Sequence, residues 1–146
     1  METMGDAIKN LNVLLNDLSL NKLSSFSFNS GGKGSALFKS TDGGKNWKKV
    51  SAGLPEGDLG RIVISFNPSK PTELLSIVEA KIPGLYQSAD EGETWKKLAA
   101  TDNITARPFY FSTLEFDPRD PKRVYRPAFD FQYSTDGGYS WSGQLF

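Results

Sequence analysis

Histidine and cysteine are both absent from this chain, and its candidate chemistry is sought first among carboxylates and arginines. Without His or Cys there is no Ser-His or Cys-His nucleophile system, no usual zinc site and no disulfide framework. Four carboxylates stand beside strand-like runs: Glu79, Glu115, Asp117 and Asp130. A pair of them ~5–5.5 Å apart would suit retaining glycoside hydrolysis, and ~6.5–9.5 Å apart inverting hydrolysis. No sequence context singles out one pair, and Glu79, at the end of a strand, is the one catalytic candidate. Asp117 precedes Pro118, which fits a turn better than catalysis. Arg107 opens the run Arg107-Pro108-Phe109-Tyr110. An arginine among aromatic rings can clamp a carboxylate or stack on a sugar. Arg107, Tyr110 and Glu79 therefore form the candidate ligand-binding set. The plainer reading is that Arg107 braces a loop and Tyr110 is core.

Three further aspartates recur in one phrase. It reads Ser40-Thr41-Asp42-Gly43-Gly44-Lys45-Asn46-Trp47, then Ser88-Ala89-Asp90-Glu91-Gly92-Glu93-Thr94-Trp95, then Ser134-Thr135-Asp136-Gly137-Gly138-Tyr139-Ser140-Trp141. The spacing is 48 positions from Asp42 to Asp90 and 46 from Asp90 to Asp136. Strand-like runs flank each copy, and Asp-Gly between such runs is a hairpin signal. Asp accepts backbone N–H bonds across its own turn, and Gly tolerates positive φ. A Trp three residues past the second Gly can fold back over the turn. Ser40, Asp42, Gly44, Trp47, Ser88, Asp90, Gly92, Trp95, Ser134, Asp136, Gly138 and Trp141 are accordingly read as structural. No metal is expected on them, since the turns lack the dense oxygen-ligand spacing of a calcium loop. No cofactor is expected either.

The elements that position these groups follow one ruler. Arg61–Phe66 is a buried-type strand, Asn67-Pro68-Ser69-Lys70-Pro71 a turn, Thr72–Val78 a second strand, Gly84–Gln87 a third and Thr94–Leu98 a fourth. The third repeat matches, with Ser112–Phe116, the turn Asp117-Pro118-Arg119-Asp120-Pro121, Arg123–Tyr125, a turn near Pro127, and Phe131–Tyr133. Four antiparallel strands joined by tight turns make a propeller blade. Repeats are placed at 1–50, 51–100 and 101–146 of a single domain. The first is degenerate: strands are expected near 13–18 and 25–28, while Ile8, Leu11, Leu15 and Leu18 also fit a helical stripe with Asp6 as N-cap.

The repeated phrase resembles the Asp-box, or bacterial neuraminidase repeat, of β-propellers such as sialidases, sortilin-type receptors, xyloglucanases and photosystem II assembly factors. The resemblance implies a hairpin on the outer strands, away from the central ligand face. Gly53-Leu54-Pro55, Leu59-Gly60-Arg61-Ile62, Ile77-Val78-Glu79-Ala80, Gly84-Leu85-Tyr86 and Arg107–Ser112 further resemble a bacterial sortilin-like, xyloglucanase-like repeat group, over roughly residues 31–141. Sialidases use an arginine triad with a Tyr–Glu pair. Here arginines stand at 61, 107, 119, 123 and 126, and 119 and 123 belong to a turn and its flank. Catalytic aspartates of the xyloglucanases fall on no matched position.

The fold expectation is all-β: a partial β-propeller of three four-stranded blades, the first degenerate. Propellers close with typically 4–8 blades, so a homodimer forming a six-bladed ring is expected, the alternative being a fragment or domain variant whose degenerate N-terminal segment caps the open side. Lysine and arginine number 17 and acids 17, so no basic excess points to nucleic acid or membrane. No stretch approaches the ~20 apolar residues of a membrane helix. The N-terminus lacks the form of a signal peptide, and the chain as written is expected in the cytoplasm. The functional expectation is a non-catalytic binding module for a glycan or protein segment. The alternative is a glycosidase-like enzyme, or the relic of one, acting on a polysaccharide.

Overall fold

The run Leu74-Leu75-Ser76-Ile77-Val78 has no apolar–polar alternation, and its place in the fold explains why. In the computed structural model, which describes residues 31–98, 113–128 and 131–144, every residue of this strand is buried. It is an inner strand of a sheet covered on both faces, so both side-chain sets must be compatible with a core.

The described residues form ten strands. A hairpin pairs β1 (Leu37–Lys39) with β2 (Lys48–Val50). A four-stranded sheet follows in chain order: β3 (Ile62–Phe66), β4 (Leu74–Val78), β5 (Gly84–Ser88) and β6 (Lys96–Lys97). A second has β7 (Glu115–Phe116), β8 (Val124–Pro127), β9 (Phe131–Ser134) and β10 (Ser142–Gln144). All pairings are antiparallel. Each four-stranded meander is a propeller blade. Among the described residues the first repeat contributes two strands; the expectations for residues 6–20 and 25–28 lie outside them.

The second blade separates two cores. On one side Leu74, Val78, Ile62, Tyr86 and Trp95 pack with Leu37 and Val50 of the hairpin. On the other, Leu75, Ile77, Leu85 and Leu98 meet Leu114 and Val124 of the third blade. Burying one such leucine side chain is worth about 1.5–3 kcal/mol. These stacked sheets set the inner strands β3 and β7 side by side, where the Phe116 amide donates to Ser65 Oγ at 3.2 Å.

Two turn signals are realised alike. Asn67 Oδ1 accepts the amides of Ser69 and Lys70 at 2.9 and 3.2 Å. Asp117 Oδ1 accepts those of Arg119 and Asp120 at 2.8 and 3.2 Å. Such Asx turns hold the chain between first and second strands. Asp117 also accepts the Tyr125 hydroxyl at 2.7 Å. The turn expected near Pro127 begins one residue later. Pro127 is the last residue of β8 and pairs with Phe131, a strand end where its missing N–H is tolerated.

Candidate functional site

The three clasps repeat one hydrogen-bond set. The serine hydroxyl donates to the aspartate Oδ1 at 2.8, 2.7 and 2.8 Å in chain order. That serine oxygen accepts the amide of Gly44, Gly92 or Gly138 at 2.8 Å. Asp Oδ1 also accepts the amide of Asn46, Thr94 or Ser140, and Oδ2 accepts the same residue's side chain. The indole N–H of Trp47, Trp95 or Trp141 donates to the glycine carbonyl at 2.9–3.0 Å. Two consecutive residues with positive φ bend each turn: Gly43 and Gly44, Glu91 and Gly92, Gly137 and Gly138. Glycine is the residue for such backbone, and Glu91 is the exception.

Those bonds stabilise the ionised carboxylate. The Asn46 amide foremost lowers Asp42 to about 2, the Thr94 hydroxyl foremost lowers Asp90 to about 2, and the Ser140 hydroxyl foremost lowers Asp136 to about 2. A folded-state pKa below the unfolded carboxylate value of ~3.9 gives stability that is complete above that value. It is lost as pH falls through about 2. The melting temperature is therefore expected to be flat above about pH 5 and to drop between about pH 4 and 2. Replacing Asp42, Asp90 and Asp136 together by Asn should lower the plateau and shrink that drop. An acid drop of undiminished size in the triple variant, measured by thermal melts across pH, would refute this origin.

Glu79, just beyond β4, turns its carboxylate back onto its own blade. Its Oε2 accepts the Arg61 amide at 2.8 Å, while backbone bonds join Gly60 N–H to Glu79 O at 2.7 Å and Glu79 N–H to Arg61 O at 2.9 Å. Gly60 makes the room, since a Cβ there would lie 2.2 Å from that carboxylate oxygen. Glu79 thus braces the entry to β3, on the rim where β4 ends and β5 begins. The clasps lie on the opposite rim: Glu91 N–H reaches Thr72 O at 2.9 Å, and Gly137 N–H reaches Lys122 O at 2.7 Å. Arg107, Tyr110 and Asp130 lie outside the described residues, so the proposed set of Glu79, Arg107 and Tyr110 is represented by Glu79.

Sequence reading missed the contacts that the clasps make between blades. Lys39 in β1 reaches Glu93 at 3.0 Å and Glu91 at 3.7 Å, and Lys48 reaches Glu93 at 3.3 Å. The hydrogen bond from Lys39, foremost, holds the Glu93 carboxyl below its usual range. In the third clasp the Tyr139 hydroxyl lies 3.2 Å from Gln87 Oε1. The signal was present in the differences between copies: Glu91 and Glu93 stand where the first copy has Gly43 and Lys45. A cavity of about 510 Å³ lies beside β1, lined by Leu37, Ile64, Phe66, Leu74 and both Trp47 and Trp95. It opens on the clasp rim, away from Glu79. Among the described residues, no group of three acids could hold a metal ion.

Repeated clasps on stacked four-stranded meanders define a β-propeller chain of the Asp-box kind. The BNR/Asp-box repeat matches residues 38–49 and 132–142, the first and third copies, and the chain carries these repeats. The second copy has the same bonds. Solved structures agree on the fold. The GH74 xyloglucanase from Xanthomonas campestris superposes with a TM-score of 0.51 at 24% identity, over 73% of this chain and 17% of that one. YCF48 bound to D1 peptide gives 0.54 at 15% identity, over 77% and 34%. YCF48 from Cyanidioschyzon merolae gives 0.51 at 18% identity, over 74% and 32%. The chain thus spans about a third or less of these proteins' length. No curated protein sequence matches it.

Proposed function

We propose that this protein is a non-catalytic β-propeller-type binding module whose ligand is a glycan or a protein segment. The observation that carries the reading is the position of Glu79. The carboxylate that sequence put forward for catalysis bonds the Arg61 amide of its own blade at 2.8 Å. A carboxylate held that way positions a rim better than it attacks or protonates a glycosidic bond. The ligand face is the rim opposite the clasps, on which Glu79 stands, and Arg107 and Tyr110 are the residues of the sequence whose planar cation and ring suit a carboxylate or sugar. Proteins of this fold meet both ligand classes: one neighbour is a xyloglucanase and another is bound to a peptide.

Two chains pair head-to-tail to make a six-bladed ring. Propellers close with typically 4–8 blades, and arrays left open at their ends need partners or caps for their apolar faces.

Glycan and peptide arrays probed with the purified chain test the module. Binding without turnover of any glycoside is expected, and Arg107→Ala should weaken it by about 10-fold or more, as loss of a charge-assisted anchor does. Glu79→Gln retains an oxygen acceptor for the Arg61 amide and should leave the melting temperature almost unchanged. Xyloglucan oligosaccharide hydrolysis by the wild type, lost in Glu79→Gln at unchanged stability, would establish the enzyme instead.

A further inference from the structure

The contacts between successive blades fall at matched positions. The residue just before the clasp serine in one blade meets the residue three beyond the clasp aspartate in the next. Lys39, before Ser40, meets Glu93, three beyond Asp90, at 3.0 Å. Gln87, before Ser88, meets Tyr139, three beyond Asp136, at 3.2 Å. The rule therefore holds at both junctions that the described residues contain. Among the described residues it leaves one member over on the third blade and one on the first hairpin. Tyr133, before Ser134, stands on the third blade at 37% exposure. Lys45, three beyond Asp42, is exposed on the first hairpin.

The face around Tyr133 is built for a neighbour. Strand register makes Tyr125 the counterpart of Leu75, because Tyr125 pairs with Tyr133 as Leu75 pairs with Gln87. By the same register Pro127 and Phe131 correspond to Ile77 and Leu85. In the second blade those positions are Leu75, Ile77 and Leu85, at 0–1% exposure under the third blade. The third clasp touches them directly: a Cβ on Gly138 would lie 3.2 Å from Leu85 and 3.4 Å from Leu75. In the third blade the equivalents are half-buried or exposed, and the Tyr125 and Phe131 rings stack with centroids 6.1 Å apart.

We propose that this aromatic face docks the first clasp of a second copy, with Lys45 of that copy set against Tyr133. The inference deepens the ring reading above and rests on it. A lysine ammonium on a tyrosine is attracted by the ring face and can donate to the phenol oxygen. The three junctions then use three different chemistries: Lys with Glu, Gln with Tyr, and Tyr with Lys. Wrong pairings would set Lys39 against Lys45, so the latches select the order of blades as well as holding them. The occupant is a second copy because its first hairpin supplies the matching cation. The junction also continues the register of the two seen within the chain.

The test moves the first latch into the open junction. Tyr133→Lys and Lys45→Glu are made singly and together, and the dimer dissociation constant is measured by sedimentation at low and high salt. Each single variant should raise it about 10-fold, and the double variant, which recreates a Lys–Glu pair, should recover most of that and become salt-sensitive. Both residues are exposed, so far-UV circular dichroism unchanged from wild type confirms that folding is intact. A stable dimer indifferent to both single variants, or a double variant as weak as the sum of the singles, would overturn the latch while leaving the ring. A wild-type chain that stays monomeric at every concentration would overturn the ring and the latch together.

Discussion

Trp95→Ala is expected to destabilise the protein by about 3–5 kcal/mol, the range for truncating a large buried aromatic. Trp95 is 5% exposed and belongs to the core between the hairpin and the second blade. Its indole N–H donates to Gly92 O at 3.0 Å, and its backbone N–H donates to Ala52 O at 2.9 Å. Truncation opens a cavity and leaves the turn without its apolar cover. Trp47 and Trp141 make the same indole bond but are only half-buried. Their alanine variants should cost less, about 1–3 kcal/mol, because less apolar area leaves water. Urea denaturation of the three variants checks the order. Equal losses at all three sites would show that the indole–carbonyl bond, shared by all, outweighs burial.

Gly53→Ala is expected to cost about 3 kcal/mol or more through a backbone collision. Gly53 has φ +79°, and a Cβ there would lie 1.7 Å from Trp95 O, the backbone of the second blade's clasp. A carbonyl cannot swing aside as a side chain can, so the segment carrying the chain from β2 to β3 must lift off. Gly57→Ala is the control, with φ +90° and nothing within 4 Å. It meets only the left-handed backbone penalty of about 1–2 kcal/mol. A Gly53 variant no worse than the Gly57 variant would disprove the close approach of this segment to Trp95.

The fold was legible where the chain repeats itself. Asp42, Asp90 and Asp136 fix the unit, and Asn67-Pro68 with Asp117-Pro118 fix its phase, because turn chemistry depends on residues a few positions apart. Leu74–Val78 falls inside the second strand expected over Thr72–Val78, and the cover on both its faces became visible only in the structure. The site was less legible because its interactions cross the chain. Glu79 was visible as a carboxylate at a strand end, yet its partner is an amide 18 positions away, reached because Gly60 has no side chain. Lys39 and Glu93 are 54 positions apart. Their pairing becomes readable only when the copies are aligned and the residues that differ are taken as the ones that meet. Pro127 located the connection between second and third strands to within a residue, closing the strand that precedes it.

Every side-chain hydrogen bond inside a clasp joins residues two to four positions apart. The corner is therefore a cassette that carries its own fittings. A gene segment of this length can be duplicated or deleted, and each corner it encodes brings the side chains of its own clasp, leaving only backbone bonds such as Glu91 N–H to Thr72 O and Gly137 N–H to Lys122 O to be met by the rest of the blade. What a new copy has to acquire is the right companion on either flank, and in this chain single substitutions beside the clasp supply it.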